Sequence, residues 1–254
     1  MDICVIGDSH TVALKQGLSA VQDEFPDCRL VFFCGHGDRL KYLAVADGHL
    51  TSSSPELERM FKRTSGGDSI GPHYDAYLLV GLTIRMLRAA RRCLRVIQER
   101  RKIGETVALD DDELLQLIHA DFETTLAPDV MRKLRSITTA PAFMIAAPYP
   151  GADDEENAWK RVKKTVQPDR LATAYNAACD RLCSAHDIQF LPQPEETLAE
   201  NGVTTLEAFT RGATAAVERI SDDTHMNAEF GAIVLHDALR ALMKSRNSAV
   251  WGAP

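Results

Sequence analysis

The chain contains no apolar run near the roughly 18 residues that a membrane helix needs. Its N-terminus has no basic start ahead of a long apolar stretch, so it lacks the form of a signal peptide, and a cytoplasmic location is expected. Basic residues are not in excess. With 29 Lys and Arg against 36 Asp and Glu, the formal charge is −7. That balance argues against nucleic-acid binding, which relies on a basic surface. No C-x-x-C pair occurs among the six cysteines (Cys4, Cys28, Cys34, Cys93, Cys179 and Cys183). They are read as reduced packing residues, Cys179 and Cys183 sharing a helix face, and no metal site is expected. Neither G-x-x-x-x-G-K-[ST] nor G-x-G-x-x-G is present, so no nucleotide cofactor, and no other cofactor, is expected.

What remains is the composition of an ordinary globular protein. The chain has 254 residues, 45% hydrophobic and 26% charged, enough for one α/β domain with a substantial core. Apolar strand-like runs alternate with helical periods, which points to a mainly parallel sheet covered on both faces. Strands are expected at residues 2–6, Arg29–Cys34, Asp75–Val80, Ala142–Ala147 and Ile188–Leu191. Helices are expected at Thr11–Glu24, Pro168–Ala185 and Ala228–Met243, the last capped by Asn227. Asp47-Gly48 marks the turn of a small hairpin, and Thr64–Pro72 reads as a Ser/Gly-rich loop. Residues 84–137 read as three helical pieces, a helical insertion in a single domain spanning 1–254, with the acids from Asp110 to Glu113 opening the middle piece.

Ligands bind open α/β sheets beyond the carboxyl ends of the strands. Ser9 follows the first strand there, in Gly7-Asp8-Ser9-His10. Gly35 and Gly37 follow the second strand, and Gly81-Leu82-Thr83 the third. A serine at a strand-to-helix junction has its N–H near a helix N-terminus, where positive potential stabilises an oxyanion. Its hydroxyl needs a base. Asp222-Asp223-Thr224-His225, ahead of the last helix, supplies His225 as that base, with Asp222 spaced to fix its tautomer. Arg85, Arg88, Arg92 and Arg95 form a basic stripe at helical spacing after the third strand, read as a solvated face or as an anion-binding rim. His10 and His36 flank the expected pocket.

These blocks resemble, from end to end, the SGNH (GDSL-type) hydrolase family. Gly7-Asp8-Ser9-His10 is similar to its first block, in the variant with His after the serine. Asp222-Asp223-Thr224-His225-Met226-Asn227 with Gly231 is similar to its last. Tyr175-Asn176 on a long helix leads through His186-Asp187-Ile188 to a short strand, as in the family. The resemblance implies a flavodoxin-like three-layer sandwich with a central five-stranded parallel sheet. It implies Ser9 as nucleophile, His225 as base and then acid, and Asp222 as its orienter. The oxyanion donors would be Ser9, Gly37 (rather than Gly35) and Thr83. Thr83 stands where the family has asparagine, and losing one such donor costs about 10²–10³ in rate. A threonine hydroxyl or its backbone N–H is expected to recover part of that. His10, His36 and Arg85 are the expected substrate contacts.

The reading that follows is a serine esterase acting on a small acyl ester, acetyl by preference, of a carbohydrate or similar molecule. The partner is thus a small-molecule ester, possibly glycan-linked. An acyltransferase with the same triad is the first alternative. A catalytically silent fold that binds a glycan or a protein is the second. Oligomeric state is not readable from the sequence.

Overall fold

The structure, a computed structural model, describes residues 1–105, 108–151, 165–210 and 225–250, with side chains to residue 246 in the last segment. Five parallel strands form one sheet. They are β1 (Asp2–Gly7), β2 (Arg29–Cys34), β5 (Ala76–Gly81), β6 (Ala142–Ala146) and β7 (Gln189–Leu191), in the order β2-β1-β5-β6-β7. The antiparallel pair β3 (Leu43–Ala46) and β4 (His49–Ser52) stands apart as the expected hairpin. Asp47 and Gly48 turn it with φ of 50° and 72°, the left-handed pair that suits the strand twist.

The central strands are buried on both faces, which is why they read as nearly unbroken apolar runs. Side-chain alternation then divides them between two cores. Cys4 and Ile6 of β1, with Tyr77 and Leu79 of β5, face one layer. Ile3 and Val5, with Leu78 and Val80, face the other. Helices α2 (Pro55–Ser65), α3 (Met86–Lys102), α4 (Asp111–Phe122), α5 (Ala127–Arg135) and α6 (Pro168–Ser184) bury their apolar sides in the first core. Helices α1 (Thr11–Val21) and α7 (Ala228–Val250) cover the second.

The three helices α3 to α5 make up the long β5-to-β6 connection. Their buried residues, such as Ile97, Phe122 and Met131, belong to the common core rather than to a separate one. Asp110 and Glu113 close a full capping box at the start of α4: Glu113 N–H donates to Asp110 Oδ1 (2.8 Å) and Asp110 N–H to Glu113 Oε2 (3.2 Å). Helix α2 was not expected from the sequence. Its start signals are nevertheless present: Ser54 precedes Pro55 at the first helical position, and Glu56 and Glu58 lie in the first turn.

The strands end level. Gly7 pairs with Cys34 on one side and with Val80 on the other. The chain therefore leaves β1, β2 and β5 at a common edge, where the order of connection reverses and a crevice opens. Helices α1 and α7 meet almost backbone to backbone beside it. A Cβ on Gly17 would lie 2.2 Å from Ala232 N, and one on Gly231 would lie 1.9 Å from Ala13 O. Only glycine fits at either place, and this contact fixes how the two helix N-termini sit together.

Candidate active site

Ser9 sits in a tight turn between β1 and α1. Thr11 N–H donates to Asp8 O (3.2 Å), as does the Thr11 hydroxyl (2.7 Å), and Val12 N–H donates to Ser9 O (3.2 Å). His225 arrives from the other end of the chain, two residues before Asn227. That asparagine is doubly anchored. Its Oδ1 caps α7 by accepting from Phe230 N–H (3.0 Å), and its side-chain amide donates to Ala208 O (2.8 Å). The two functional groups meet: His225 Nε2 lies 2.8 Å from Ser9 Oγ. This is hydrogen-bond distance, as transfer of the serine proton to the imidazole requires. Asp222 and Asp223 lie outside the described residues.

The remaining expected residues divide. His10 does not open onto the cleft at Ser9. It is only 4% exposed, and its ring lies against that of His225, with centroids 5.5 Å apart and planes tilted by 37°. It forms a wall behind the imidazole. His36 is exposed at the end of β2 and lines the cleft. Gly35 N–H is committed to Gly7 O (2.9 Å), which extends the β1–β2 ladder. Among the described residues no acceptor takes the N–H of Ser9, Gly37 or Thr83. Arg85 precedes α3, half-buried, and is not among the residues lining the hollow at Ser9. The arginine stripe does not act as one surface, because Arg88 turns to α4 and pairs with Asp121 (2.5 Å).

The loop after β5 is strained. Gly81, Leu82 and Thr83 have φ of 78°, 50° and 65°, three left-handed residues in succession. Leucine and the β-branched threonine rarely adopt this region, at a cost of roughly 1–3 kcal/mol each. Two contacts hold the conformation. The Asp8 carboxylate, buried at 1% exposure, packs so closely on Gly81 that a Cβ there would lie 2.4 Å from Oδ1. The Thr83 hydroxyl accepts from Leu126 N–H at the start of α5 (3.2 Å), keeping its own proton for donation. Asp8 itself accepts from His10 N–H through Oδ1 (3.1 Å).

The sequence reading missed most of the walls of the cleft, His36 apart. A hollow of about 480 Å³ opens at Ser9, lined by Val12 and Lys15 of α1, by Cys34 and His36 after β2, and by Met60 and Arg63 of α2. Val12 is 39% exposed and gives that wall an apolar surface. Cys34 Sγ lies 2.9 Å from Thr11 Oγ1. Burial pushes its thiol pKa up, which keeps it protonated. Among the described residues no group of three or more His, Cys, Asp or Glu side chains converges as a metal-ligand set. Nor is any described helix long and apolar enough to cross a membrane.

Comparison with protein-family models, with curated proteins and with solved structures returns no match to this chain.

Proposed function

We propose that this protein is a serine esterase of the SGNH type on a flavodoxin-like sandwich, working through an acyl-Ser9 intermediate. The observation that carries the reading is the 2.8 Å approach of His225 Nε2 to Ser9 Oγ at the carboxyl edge of a parallel sheet. His225 takes the hydroxyl proton as Ser9 Oγ attacks the ester carbonyl, forming a tetrahedral oxyanion. The N–H groups of Ser9 and Gly37, with Thr83, are the donors assigned to that oxygen. Collapse breaks the C–O bond to the alcohol, which leaves with the proton from His225. A water then gives its proton to His225 and attacks the acyl carbon, releasing the acid and restoring Ser9. Asp222 would hold the imidazole in the required tautomer. The small acyl group, its carbohydrate or similar alcohol and the cytoplasmic setting belong to the same reading, by analogy with the family.

The test uses the purified full chain, 4-nitrophenyl acetate and a fluorophosphonate label. Hydrolysis and labelling are both expected, and Ser9→Ala should abolish labelling and lower hydrolysis by about 10³-fold or more. Folded protein that neither labels nor hydrolyses would instead support a binding module built on the same fold.

A further inference from the structure

Resting on that esterase reading, we infer that the substrate carries an anionic group, held between α1 and α2 about one helical turn from the ester. On α2, Glu56 is paired with Arg39 (3.0 Å) and Glu58 with Lys62 (2.6 Å), while Lys62 also faces Asp68 (3.8 Å). Asp38, before them, is paired with Lys41 (2.6 Å). Apart from the buried Asp8, the charged groups around the cleft that lack an ion-pair partner among the described residues are positive. Arg59 donates only to Pro55 O (3.3 Å), and Lys15 only to Thr64 O (3.3 Å) with its ammonium over the Phe32 ring. Among the described residues Arg63 has no carboxylate within ion-pair distance.

These three cations flank one continuous trough. Arg63, Met60 and His36 line the hollow at Ser9 and also an adjoining one, of about 480 Å³, reached by Arg59. A local cationic excess on a chain of formal charge −7 is a focused feature rather than a general bias. Lys15 lies four residues beyond Thr11, about 6 Å further along the helix. Val12 and Met60 line the same hollow as the serine and the charges. The trough thus suits an ester with a short apolar body and a carboxylate or phosphate at its far end. Two carboxylates line the trough among the described residues: Asp8 is turned against Gly81 and buried, and Glu56, in the adjoining hollow, is held by Arg39.

The test compares kcat/KM for phenyl acetate, 4-acetoxybenzoate and 4-acetoxyphenyl phosphate. The anionic esters should be preferred by about five- to tenfold at low salt, and the preference should shrink as salt is raised. Arg63→Glu and Lys15→Glu, both at exposed positions, should each reduce the ratio of anionic to neutral kcat/KM at least fivefold. The carboxylate and phosphate probes decide which anion fits better. Ser9-dependent hydrolysis of phenyl acetate with no anionic preference, or a preference that Arg63→Glu leaves intact, overturns this inference and spares the esterase. Failure of Ser9 to support turnover of any of the three esters overturns the esterase reading, and this inference with it.

Discussion

The two sides of Ser9 are built in opposite ways. Toward His225 the structure is relaxed and tightly packed. Helices α1 and α7 touch through Gly17 and Gly231, Asn227 anchors the approach, and serine and imidazole meet at 2.8 Å. Toward the loop after β5 the backbone is strained, with Leu82 and Thr83 both left-handed and the Thr83 hydroxyl tethered to α5. Proton transfer needs two atoms at one distance, and rigid packing supplies that. Stabilising a developing oxyanion needs N–H groups aimed at a point beyond the protein surface, and in the proposed mechanism that task falls to this bent loop. Strain of this kind persists only where the surrounding contacts hold it, as Asp8 and Leu126 do.

The comparison can be broken most severely at the helix contact. Gly231→Val places side-chain atoms inside the space of Ala13 O, which is backbone and cannot swing away. The helices must part, costing about 3 kcal/mol or more in denaturant unfolding, and kcat/KM for 4-nitrophenyl acetate should fall about 10²-fold as serine and imidazole separate. A variant that keeps full activity would mean the glycine contact does not set their spacing.

On the strained side, Thr83→Asn should act in the opposite direction. Asparagine tolerates the left-handed region better than threonine, and its amide offers a second type of donor to the oxyanion. An increase of about tenfold in esterase kcat is expected. A lower rate in a protein of unchanged stability would show that the hydroxyl tether to Leu126 is worth more than an amide donor. The smallest effect isolates the strain itself. Thr83→Ser keeps the hydroxyl for Leu126 N–H but removes the β-branch, and should gain about 0.5 kcal/mol of stability, read as a higher urea midpoint at unchanged m. A loss of stability would mean that packing of the Thr83 methyl outweighs its backbone cost.

Much of this architecture was legible in the residues. The five sheet strands appear as short apolar runs because both faces are buried, and the hairpin as Asp47-Gly48 because its turn needs two left-handed residues. Ser9 and His225 stood out by position, one directly after a strand and one just before a capped helix. Helix α2 was hidden by its setting between a run of serines and a Gly-rich loop, although Pro55 and its acidic first turn marked its start. Missing that helix also concealed Met60 and Arg63, its contribution to the cleft wall. The arginine stripe misled for a related reason. Helical spacing groups Arg85 with Arg88, but whether a long cation reaches solvent or a neighbouring helix depends on what packs there, and Asp121 of α4 claims Arg88.

By itself the sequence determined the alternation of strands and helices, the turn that carries Ser9 and the cap that precedes α7, because each is a matter of local conformation and periodic burial. Only the tertiary structure decided that Ser9 and His225, 216 positions apart, would share a hydrogen bond. It also decided that Lys15 and Arg63 would share a trough, and that Gly81 would lie under the Asp8 carboxylate. These are contacts between segments, set to tenths of an ångström by how closely two helices or a loop and a side chain can approach. Residue spacing along a chain carries information about faces and turns; the closeness of approach emerges only when the faces are packed together.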